Sequence, residues 1–407
     1  MSTLAMHKRA AGRIQPIDVF RGITILVMIF VNELAGVRGI PAWAEHAPAD
    51  VNAMTFVDVV FPAFLFIVGM SIPFAVGQRL AHGDTPLQLN RHILLRTAGL
   101  LIVGLFMVNA EEGYNEQAMP LSIHAWSLLF YAAVVAVWSR YRSPGSVGAI
   151  VMKAVGLLGL LALALVYRGG SGETTHGMAV QWWGILGLIG WAYLIACVCY
   201  RLAARRTLPL LLMIAACIAY YCLAQYSQFS EHALAGWIFS QPGHAAHSSI
   251  VLCGVLTALI FFGKDGSGFK QITHIHQSML RAVMLIALLV LSAYCLSIPY
   301  GISKIRATPA WCLYSSAICI CIFMPLYWLL DIQKARGWVS FLQPAASNPL
   351  LAYIIPYIVY AAMQWLGLSL PEVFHHGWAG ATWCAAYALL VLAVVAVLGR
   401  LGLRLQL

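Results

Sequence analysis

The first fifth of the chain places ionisable and amide side chains inside otherwise apolar stretches. Asp18 and Arg21 lie three residues apart in the segment IDVFRGITILVMIFVNELAG, a spacing that favours an ion pair on one helix face. Asn32 and Glu33 follow near the end of that segment. Ionisable groups are costly inside a membrane and usually mark function, so these residues are candidates for chemistry.

Asn32, His46 and Asp58 are predicted to lie near the same membrane face. Asn32 comes fourteen residues after Asp18, about 21 Å further along a helix axis. Asp58 opens the next apolar segment, TFVDVVFPAFLFIVGMS, and His46 lies on the loop between the two segments. An imidazole can accept a proton from an amine, an amide can donate to an oxyanion, and a carboxylate can fix the histidine tautomer. The three residues therefore suit acyl transfer. A solvated histidine, a helix cap at Asn32 and helix-dipole support by Asp58 remain the structural alternatives.

The composition identifies the elements that must position these residues. The chain has 407 residues, of which 61% are hydrophobic and 9% are charged. Soluble, disordered and coiled-coil proteins carry far more charge, so a membrane protein is the expected class. A helix needs about 20 apolar residues to cross a bilayer. The sequence predicts an all-α, polytopic bundle of about twelve transmembrane helices, or ten or eleven if the short seventh and eighth segments fail: 17–37, 57–78, 92–109, 121–139, 147–167, 181–200, 207–225, 246–263, 279–298, 309–330, 347–366 and 380–399.

The basic residues predict the orientation. Seventeen of the 24 lysines and arginines fall on one side of the twelve segments, together with both termini, and that side is expected to be cytoplasmic. The net charge of +10 therefore reflects membrane anchoring, and no nucleic-acid partner is expected. The basic stretch before the first full-length segment indicates a membrane anchor with no cleaved signal peptide. Lys304 is one of the few basic residues in the loops predicted to lie outside.

Several motifs resemble the transmembrane N-acetyltransferase family, which includes heparan-α-glucosaminide N-acetyltransferases and bacterial relatives. RIQPIDVFRGITILVMIFVN, then His46, then TFVDVVFPAFLFIVGMSI are similar to the opening of that family. KIRATPAW, which contains Lys304, resembles a Lys-x-x-x-Thr-Pro-Ser-Trp stretch, and SNPLLAY around Asn348 resembles the opening of a late span. The gap of fourteen residues between Asn32 and His46 is longer than in the family, and the Trp-Asn-Gly that usually follows the histidine is absent.

The resemblance implies an enzymatic activity and the membrane in which the enzyme lies. It implies one acyltransferase domain over 1–407, with its signature in 1–80, in the bacterial inner membrane. It implies transfer of an acetyl group from cytoplasmic acetyl-CoA to the amine of a glucosamine-type sugar at the outer face, by a homodimer. His46 would be the base or acyl carrier, with Asn32 as its partner and Asp58 beside it. An acetyl-histidine intermediate and a ternary complex both remain open, and no metal is expected.

Further residues are expected to bind the two substrates. Coenzyme A phosphates would need cations at the cytoplasmic end, where Arg21 (beside Asp18), Arg96 and Lys153 lie, although snorkelling explains the same positions. Lys304 would contact an acidic saccharide or pair with a nearby glutamate. A histidine inside a bundle is more often structural than functional. The candidates for the sugar site are Glu33, His124, His244, His247, Lys304 and Asn348.

Two other functions fit the same composition. A transporter for a sugar or small anion would use Asp18, Arg21, Glu33 and Asp58 as coupling groups, but the sequence shows no inverted repeat. A cell-envelope O-acyltransferase would use a hydroxyl in place of an amine as acceptor. Comparing hydroxyl with amine acceptors, and uptake with acetyl-CoA consumption, separates the three.

Overall fold

The structure is a computed structural model that describes residues 15–171, 174–225, 240–263 and 273–406. Two groups of basic residues that predict the orientation lie outside these residues. They are the N-terminal Lys8, Arg9 and Arg13, and the pair Lys264 and Lys270.

Helices make up most of the described chain, and each of the twelve predicted segments overlaps one of them. A short hairpin pairs Gly169–Ser171 with Thr174–His176, and 3-10 turns occupy Ala42–Ala44 and Val57–Val59. A π turn, Trp328–Ile332, and a 3-10 turn, Gly337–Leu342, precede a short helix at Gln343–Ser347. The longer helices are α1 Gln15–Leu34, α2 Val60–Ala81, α3 Pro86–Glu111, α4 Ile123–Trp138, α5 Val147–Val166, α6 Gly184–Leu202, α7 Thr207–Ala224, α8 Pro242–Phe262, α9 Thr273–Tyr300, α10 Pro309–Tyr327, α11 Pro349–Trp365 and α12 Gly377–Arg400.

The predicted class, an all-α polytopic membrane bundle, is confirmed. Nine helices of the described residues are long and apolar enough to cross a membrane, namely α2, α3, α5 to α10 and α12. The helices 337–347 and 349–365 together give a tenth candidate. α4 is apolar but shorter, and α1, which carries Asp18, Arg21 and Glu33, is not among the nine.

The local sequence explains where several helices begin. Thr85 caps α3 in a reciprocal capping box with Gln88, and Ser122 and Ser146 accept from backbone N–H groups at the starts of α4 and α5. α8, α10 and α11 each have proline in the first turn, where its missing N–H has no consequence. α8 begins at Pro242, so His244 and His247 lie in its first two turns.

The chain divides into two compact units. Of the described residues, the first unit contains those within 15–24, 46–83 and 196–347, and so includes α2 and α7 to α10. The second unit contains the described residues within 25–45, 84–195 and 348–406, and so includes α3 to α5 with α11 and α12. In the second unit, stacked rings of Phe106, Trp126 and Phe130 fix α3 against α4.

The first unit depends on a very close contact between α2 and α8. A Cβ atom added to Gly69 would lie 1.9 Å from the carbonyl oxygen of Val251, and one added to Gly254 would lie 2.0 Å from that of Phe66. Small residues let membrane helices approach this closely, and the dispersion contacts that result stabilise the pair. α8 is also the most buried candidate span, with 94% of its most apolar stretch inside the protein.

We predict that Gly69→Ala or Gly254→Ala lowers the free energy of unfolding by about 3 kcal/mol or more, because one helix backbone must move away from the other. Thermal unfolding of the purified protein in detergent measures the effect. Gly77→Ala is the matched control on α2, because a Cβ there meets nothing within 4 Å. It should leave stability unchanged or raise it by up to about 1 kcal/mol. Equal effects of all three variants would contradict the close contact.

Candidate functional site

His46 and Asp58 form a hydrogen-bonded pair at the start of α2. The distance from Nδ1 of His46 to Oδ1 of Asp58 is 2.7 Å. The carboxylate is fully buried, whereas 40% of the imidazole side chain is exposed. One ring nitrogen is therefore held from inside the protein while the ring remains accessible from outside.

The Asp58 carboxylate is satisfied by the chain around it. Its Oδ2 accepts from the backbone N–H of Thr55 at 3.0 Å, from the Thr55 hydroxyl at 3.3 Å and from the backbone N–H of Ala47 at 3.2 Å. Asp58 lies in the 3-10 turn Val57–Val59 that leads into α2, where the unpaired N–H groups of a helix start favour a carboxylate. A buried charge is tolerated only when it is paired and hydrogen-bonded, and Asp58 meets both conditions.

Aromatic residues hold the backbone of Asp58 in place. Trp311, fully buried on α10, donates its indole N–H to the carbonyl oxygen of Asp58 at 3.1 Å. The ring of His247 on α8 packs edge-on against Trp311 and Phe61, with centroids 5.9 and 5.3 Å away. His247 is buried, and its Nδ1 has no hydrogen-bond partner among the described residues. Three helices of the first unit thus converge behind the carboxylate.

Lys304 lies directly against His46. Its Nζ is 3.0 Å from Nε2 and 3.2 Å from Nδ1 of the imidazole. Since the Asp58 carboxylate accepts at Nδ1, the network assigns the hydrogen to Nδ1 and the lone pair to Nε2. The two nearly equal distances place the Lys304 ammonium against the face of the ring, beside the in-plane lone pair of Nε2, the nitrogen that would act as a base.

The loop between α9 and α10 carries Lys304 and is tied to the segment that carries His46. The backbone N–H of Ile302 donates to Oδ1 of Asn52 at 2.7 Å. Gly301 has a φ of 67°, which favours glycine, and Ala307 takes a similar φ of 49°. On the opposite side, the Tyr221 hydroxyl of α7 donates to the carbonyl oxygen of Arg306 at 3.0 Å. The position of Lys304 is therefore set by the backbone on both sides.

Burial lowers the pKa of Lys304 below the usual value for a lysine, and the negative charge of Asp58 partly opposes this shift. Lys304 lies in a loop and keeps its charge only below this lowered pKa. The ammonium is therefore lost at a lower pH than in an exposed lysine.

Arg21 and Asp18 form the ion pair that their spacing predicts. Nη1 of Arg21 donates to Oδ1 of Asp18 at 2.8 Å, and Nη2 donates to the Ser71 hydroxyl at 2.8 Å. Nη1 also approaches the carbonyl oxygen of Ala346 at 3.4 Å. These contacts join α1 to α2 and support a structural role beside the predicted role in binding coenzyme A phosphates.

The remaining candidates of the first unit lie near the start of α8. His244 is partly exposed, and its carbonyl oxygen accepts from the Ser248 hydroxyl at 2.6 Å. His247 lies behind Asp58, as described above. Their predicted role in sugar binding stays a prediction.

Six of the predicted site residues belong to the second unit, and five of them are described first. Asn32 is exposed and Glu33 is half-buried near the end of α1, and His124 is half-buried at the start of α4. The guanidinium of Arg96 lies over the ring of Tyr193 at 4.8 Å, and the ammonium of Lys153 lies 5.8 Å from the ring centre of Tyr141. Their predicted roles stay predictions.

Asn348, also in the second unit, has its whole amide engaged by the C-terminal segment. Its Nδ2 donates to the carbonyl oxygen of Leu403 at 3.0 Å, and its Oδ1 accepts from the backbone N–H of Leu405 at 3.0 Å. The side chain is buried. These contacts give Asn348 a structural role, and its predicted contact with the sugar stays a prediction.

Three residues of the site were not singled out by sequence reasoning. Thr55 and Asn52 are common loop residues, and Trp311 was noted only within a motif. The contact between Lys304 and His46 was also missed, because 258 residues separate them in the chain. The only available signal was that both lie in loops predicted to face outside. Within the described part of the chain, no group of three or more His, Cys, Asp and Glu residues is arranged to hold a metal ion.

Comparison with known proteins agrees with this description. Residues 13–208 match the family model described as a domain of unknown function, DUF5009. The match includes His46 and Asp58 and ends before Lys304. The chain is 33% identical over 139 residues to heparan-alpha-glucosaminide N-acetyltransferase of Mus musculus, and the aligned residues cover 34% of this chain and 18% of the mouse protein. It is 35% identical over 133 residues to the Homo sapiens protein of the same name, and the aligned residues cover 33% of this chain and 16% of the human protein.

The fold and the site define an all-helical polytopic membrane protein with a histidine–carboxylate pair in contact with a lysine. Within that class, the chain is similar to the heparan-alpha-glucosaminide N-acetyltransferases, and the resemblance expected from its first eighty residues is confirmed. The aligned segments span less than a fifth of the length of these relatives.

We predict that Asp58→Asn lowers the free energy of unfolding by about 1–3 kcal/mol, because an amide cannot accept all the hydrogen bonds that the carboxylate accepts. Chemical denaturation in detergent measures this change. Asp50→Asn is the control, since Asp50 is an exposed carboxylate of the same segment, and its effect should stay within about 0.5 kcal/mol. Equal stability of the two variants would mean that the buried contacts of Asp58 do not hold the segment.

Proposed function

We propose that this protein is a membrane acetyltransferase that uses acetyl-CoA to acetylate the amine of a glucosamine-type sugar. The observation that carries the proposal is the accessible His46 imidazole, whose Nδ1 lies 2.7 Å from the buried Asp58 carboxylate. This arrangement is what a general base requires. The similarity to heparan-alpha-glucosaminide N-acetyltransferases supports the choice of reaction and acceptor.

The proposed reaction begins with the acceptor amine and the acetyl thioester bound together. The amine nitrogen attacks the carbonyl carbon, a C–N bond forms, and the π electron pair moves to the carbonyl oxygen. Nε2 of His46 takes the proton that the nitrogen loses. The C–S bond then breaks, and the departing coenzyme A thiolate takes that proton from His46. The products are the N-acetyl sugar and free coenzyme A.

Asp58 has two functions in this scheme. Its carboxylate accepts the Nδ1 hydrogen and so keeps the lone pair on Nε2. Its negative charge also stabilises the imidazolium that forms when His46 accepts a proton. Thr55 and Ala47 hold the carboxylate in position, so that the imidazole loses little freedom when the substrates bind.

The substrates are proposed to approach from opposite sides of the membrane. Acetyl-CoA enters from the cytoplasm, where Arg21, Arg96 and Lys153 are proposed to meet its phosphates. The sugar binds at the outer face, with Asn32 as the proposed hydrogen-bonding partner of the acceptor. The positive-inside distribution of the basic residues supports this orientation, in the bacterial inner membrane and in a homodimer as the family resemblance suggests.

We predict that His46→Gln lowers kcat/KM for glucosamine acetylation at least about 100-fold, because a neutral amide cannot accept the proton. Release of the coenzyme A thiol by purified protein in detergent or liposomes measures the rate. His82→Gln is the matched control, since His82 is exposed at the far end of α2 and its Nδ1 contacts its own helix at the Gln78 carbonyl. It should retain the rate of the unmodified protein. Full activity of His46→Gln would contradict the site.

We also predict that no acetyl group remains on the protein after incubation with labelled acetyl-CoA and no acceptor, because His46 acts as a base in the direct route. Rapid quenching and mass spectrometry of the His46 peptide measure this. An acetyl-His46 that forms and decays at the turnover rate would replace the direct route with the two-step one.

In the thiol-release assay, a faster reaction with hydroxyl acceptors than with amines would favour an O-acyltransferase. Uptake of the sugar into liposomes without release of the thiol would favour a transporter.

A further inference from the structure

We propose that Lys304 is a catalytic residue of this site, and that its ammonium binds the oxyanion formed from the acetyl carbonyl. The inference rests on the proposed acetyl transfer and assigns a second group to it. The matched family model ends at residue 208 and does not include Lys304.

The position of Lys304 is the first argument. Its Nζ lies 3.0 Å from Nε2 of His46. A general base must have the nitrogen that it deprotonates at about 2.6–3.2 Å, which is the same distance. Nζ is also 3.2 Å from Nδ1, so the ammonium lies over the face of the ring and away from the in-plane lone pair of Nε2. The acceptor amine can therefore approach Nε2 in the ring plane while the ammonium lies beside the reacting atoms.

The chemistry of the reaction determines where the negative charge develops. The attacking nitrogen, the carbonyl carbon and the developing oxyanion are consecutive atoms, so the new negative charge arises two bonds from the amine that faces Nε2. The flexible four-carbon stem of Lys304 lets its ammonium reach this oxygen while the loop backbone stays in place. A donor aimed at charge that develops in the transition state is usually a large contributor to catalysis.

The ammonium keeps its proton throughout this step. It donates an N–H to the oxyanion while the C–N bond forms and the π pair resides on oxygen. When the oxygen lone pair re-forms the carbonyl and the C–S bond breaks, the hydrogen bond weakens and Lys304 returns to His46. Only His46 transfers a proton, from the amine to the thiolate, so charge and atoms balance as in the proposed reaction.

The second argument is that the loop carrying Lys304 is fixed by hydrogen bonds. Lys304 is half-buried, and its loop is bound on one side by Asn52 and on the other by Tyr221. A lysine that only anchors a loop to lipid or water would need neither contact. The next basic residue of the loop, Arg306, is exposed, and its only hydrogen bonds among the described residues involve its backbone. The two basic residues of this loop thus differ, because Lys304 contacts His46 whereas the side chain of Arg306 is exposed. Arg306 is therefore the matched control.

The test compares Lys304→Met, Lys304→Arg and Arg306→Gln in the acetylation assay. Lys304→Met removes the charge while keeping a side chain of similar length. It should lower kcat about 100- to 1,000-fold and change KM for the acceptor little, since the lost contact forms only in the transition state. Lys304→Arg should restore part of kcat. Arg306→Gln should keep kcat within about twofold of the unmodified protein.

The pH profile supplies a readout that a structural role would not move. The ionisable groups that face Lys304 are His46 and Asp58, with Arg306 on its own loop and Tyr221 on α7. Since burial lowers the pKa of Lys304, the rate should fall as the pH rises through that pKa. In Lys304→Arg the fall should move to higher pH, because a guanidinium keeps its proton. An alkaline limb that is identical in both proteins would contradict the role.

A measurement without turnover tests the contact itself. Diethyl pyrocarbonate acylates the unprotonated imidazole nitrogen, and mass spectrometry reads the modification at His46. Lys304→Met should increase the rate of modification about three- to tenfold, because the imidazole loses an adjacent positive charge that opposes attack by its lone pair, whereas Arg306→Gln should leave it unchanged. No increase would overturn the assigned contact.

The outcomes separate this inference from the proposed function. An unmodified protein that acetylates no amine overturns the proposed function, and the catalytic role of Lys304 falls with it. An active protein whose Lys304→Met variant keeps its kcat overturns the role of Lys304 alone. A Lys304→Met variant that raises KM and leaves kcat unchanged makes Lys304 a residue that binds the acceptor, which also overturns the oxyanion role.

Discussion

The buried carboxylate of Asp58 is the constraint on which the site depends. A charge with no exposed surface is stable in this place only because Thr55, Ala47 and His46 satisfy it. These same hydrogen bonds close the segment 46–58 onto the start of α2 and orient the imidazole. Stability and chemistry are therefore coupled, since a change that removes the charge loosens the segment and frees the histidine tautomer.

The helices behind Asp58 hold this arrangement in place. Gly69 and Gly254 let α2 and α8 meet backbone to backbone, so that α8 brings His247 against Phe61 and Trp311. Trp311 on α10 then fixes the carbonyl of Asp58. Lys304 precedes α10 by a few residues, so its loop is positioned by the helix that also supports the carboxylate. The opposite charges at His46 come from two parts of the chain that share this support.

Helices and contacts between residues close in the sequence could be predicted from the sequence, whereas contacts between residues far apart in the chain could not. The composition and the length of the apolar segments predict the twelve longer helices of the described residues, including α7 and α8, whose apolar segments are short. The spacing of Asp18 and Arg21 predicted their ion pair because both lie on one helix face. His46 and Asp58 could be placed at one membrane face by counting residues. Nothing local pointed to the contact of Lys304 with His46, and the buried amide of Asn348 became visible only with its partners Leu403 and Leu405.

The most direct test of the central claim is an experimental structure of the protein with bound acetyl-CoA or a non-hydrolysable analogue. The account predicts that the acetyl carbonyl lies beside the His46 imidazole, with its oxygen within about 3 Å of Nζ of Lys304 and its carbon facing the position from which an amine reaches Nε2. A thioester that binds in a well-ordered site about 10 Å or more from His46, beyond the reach of any side-chain rotation, would contradict the account.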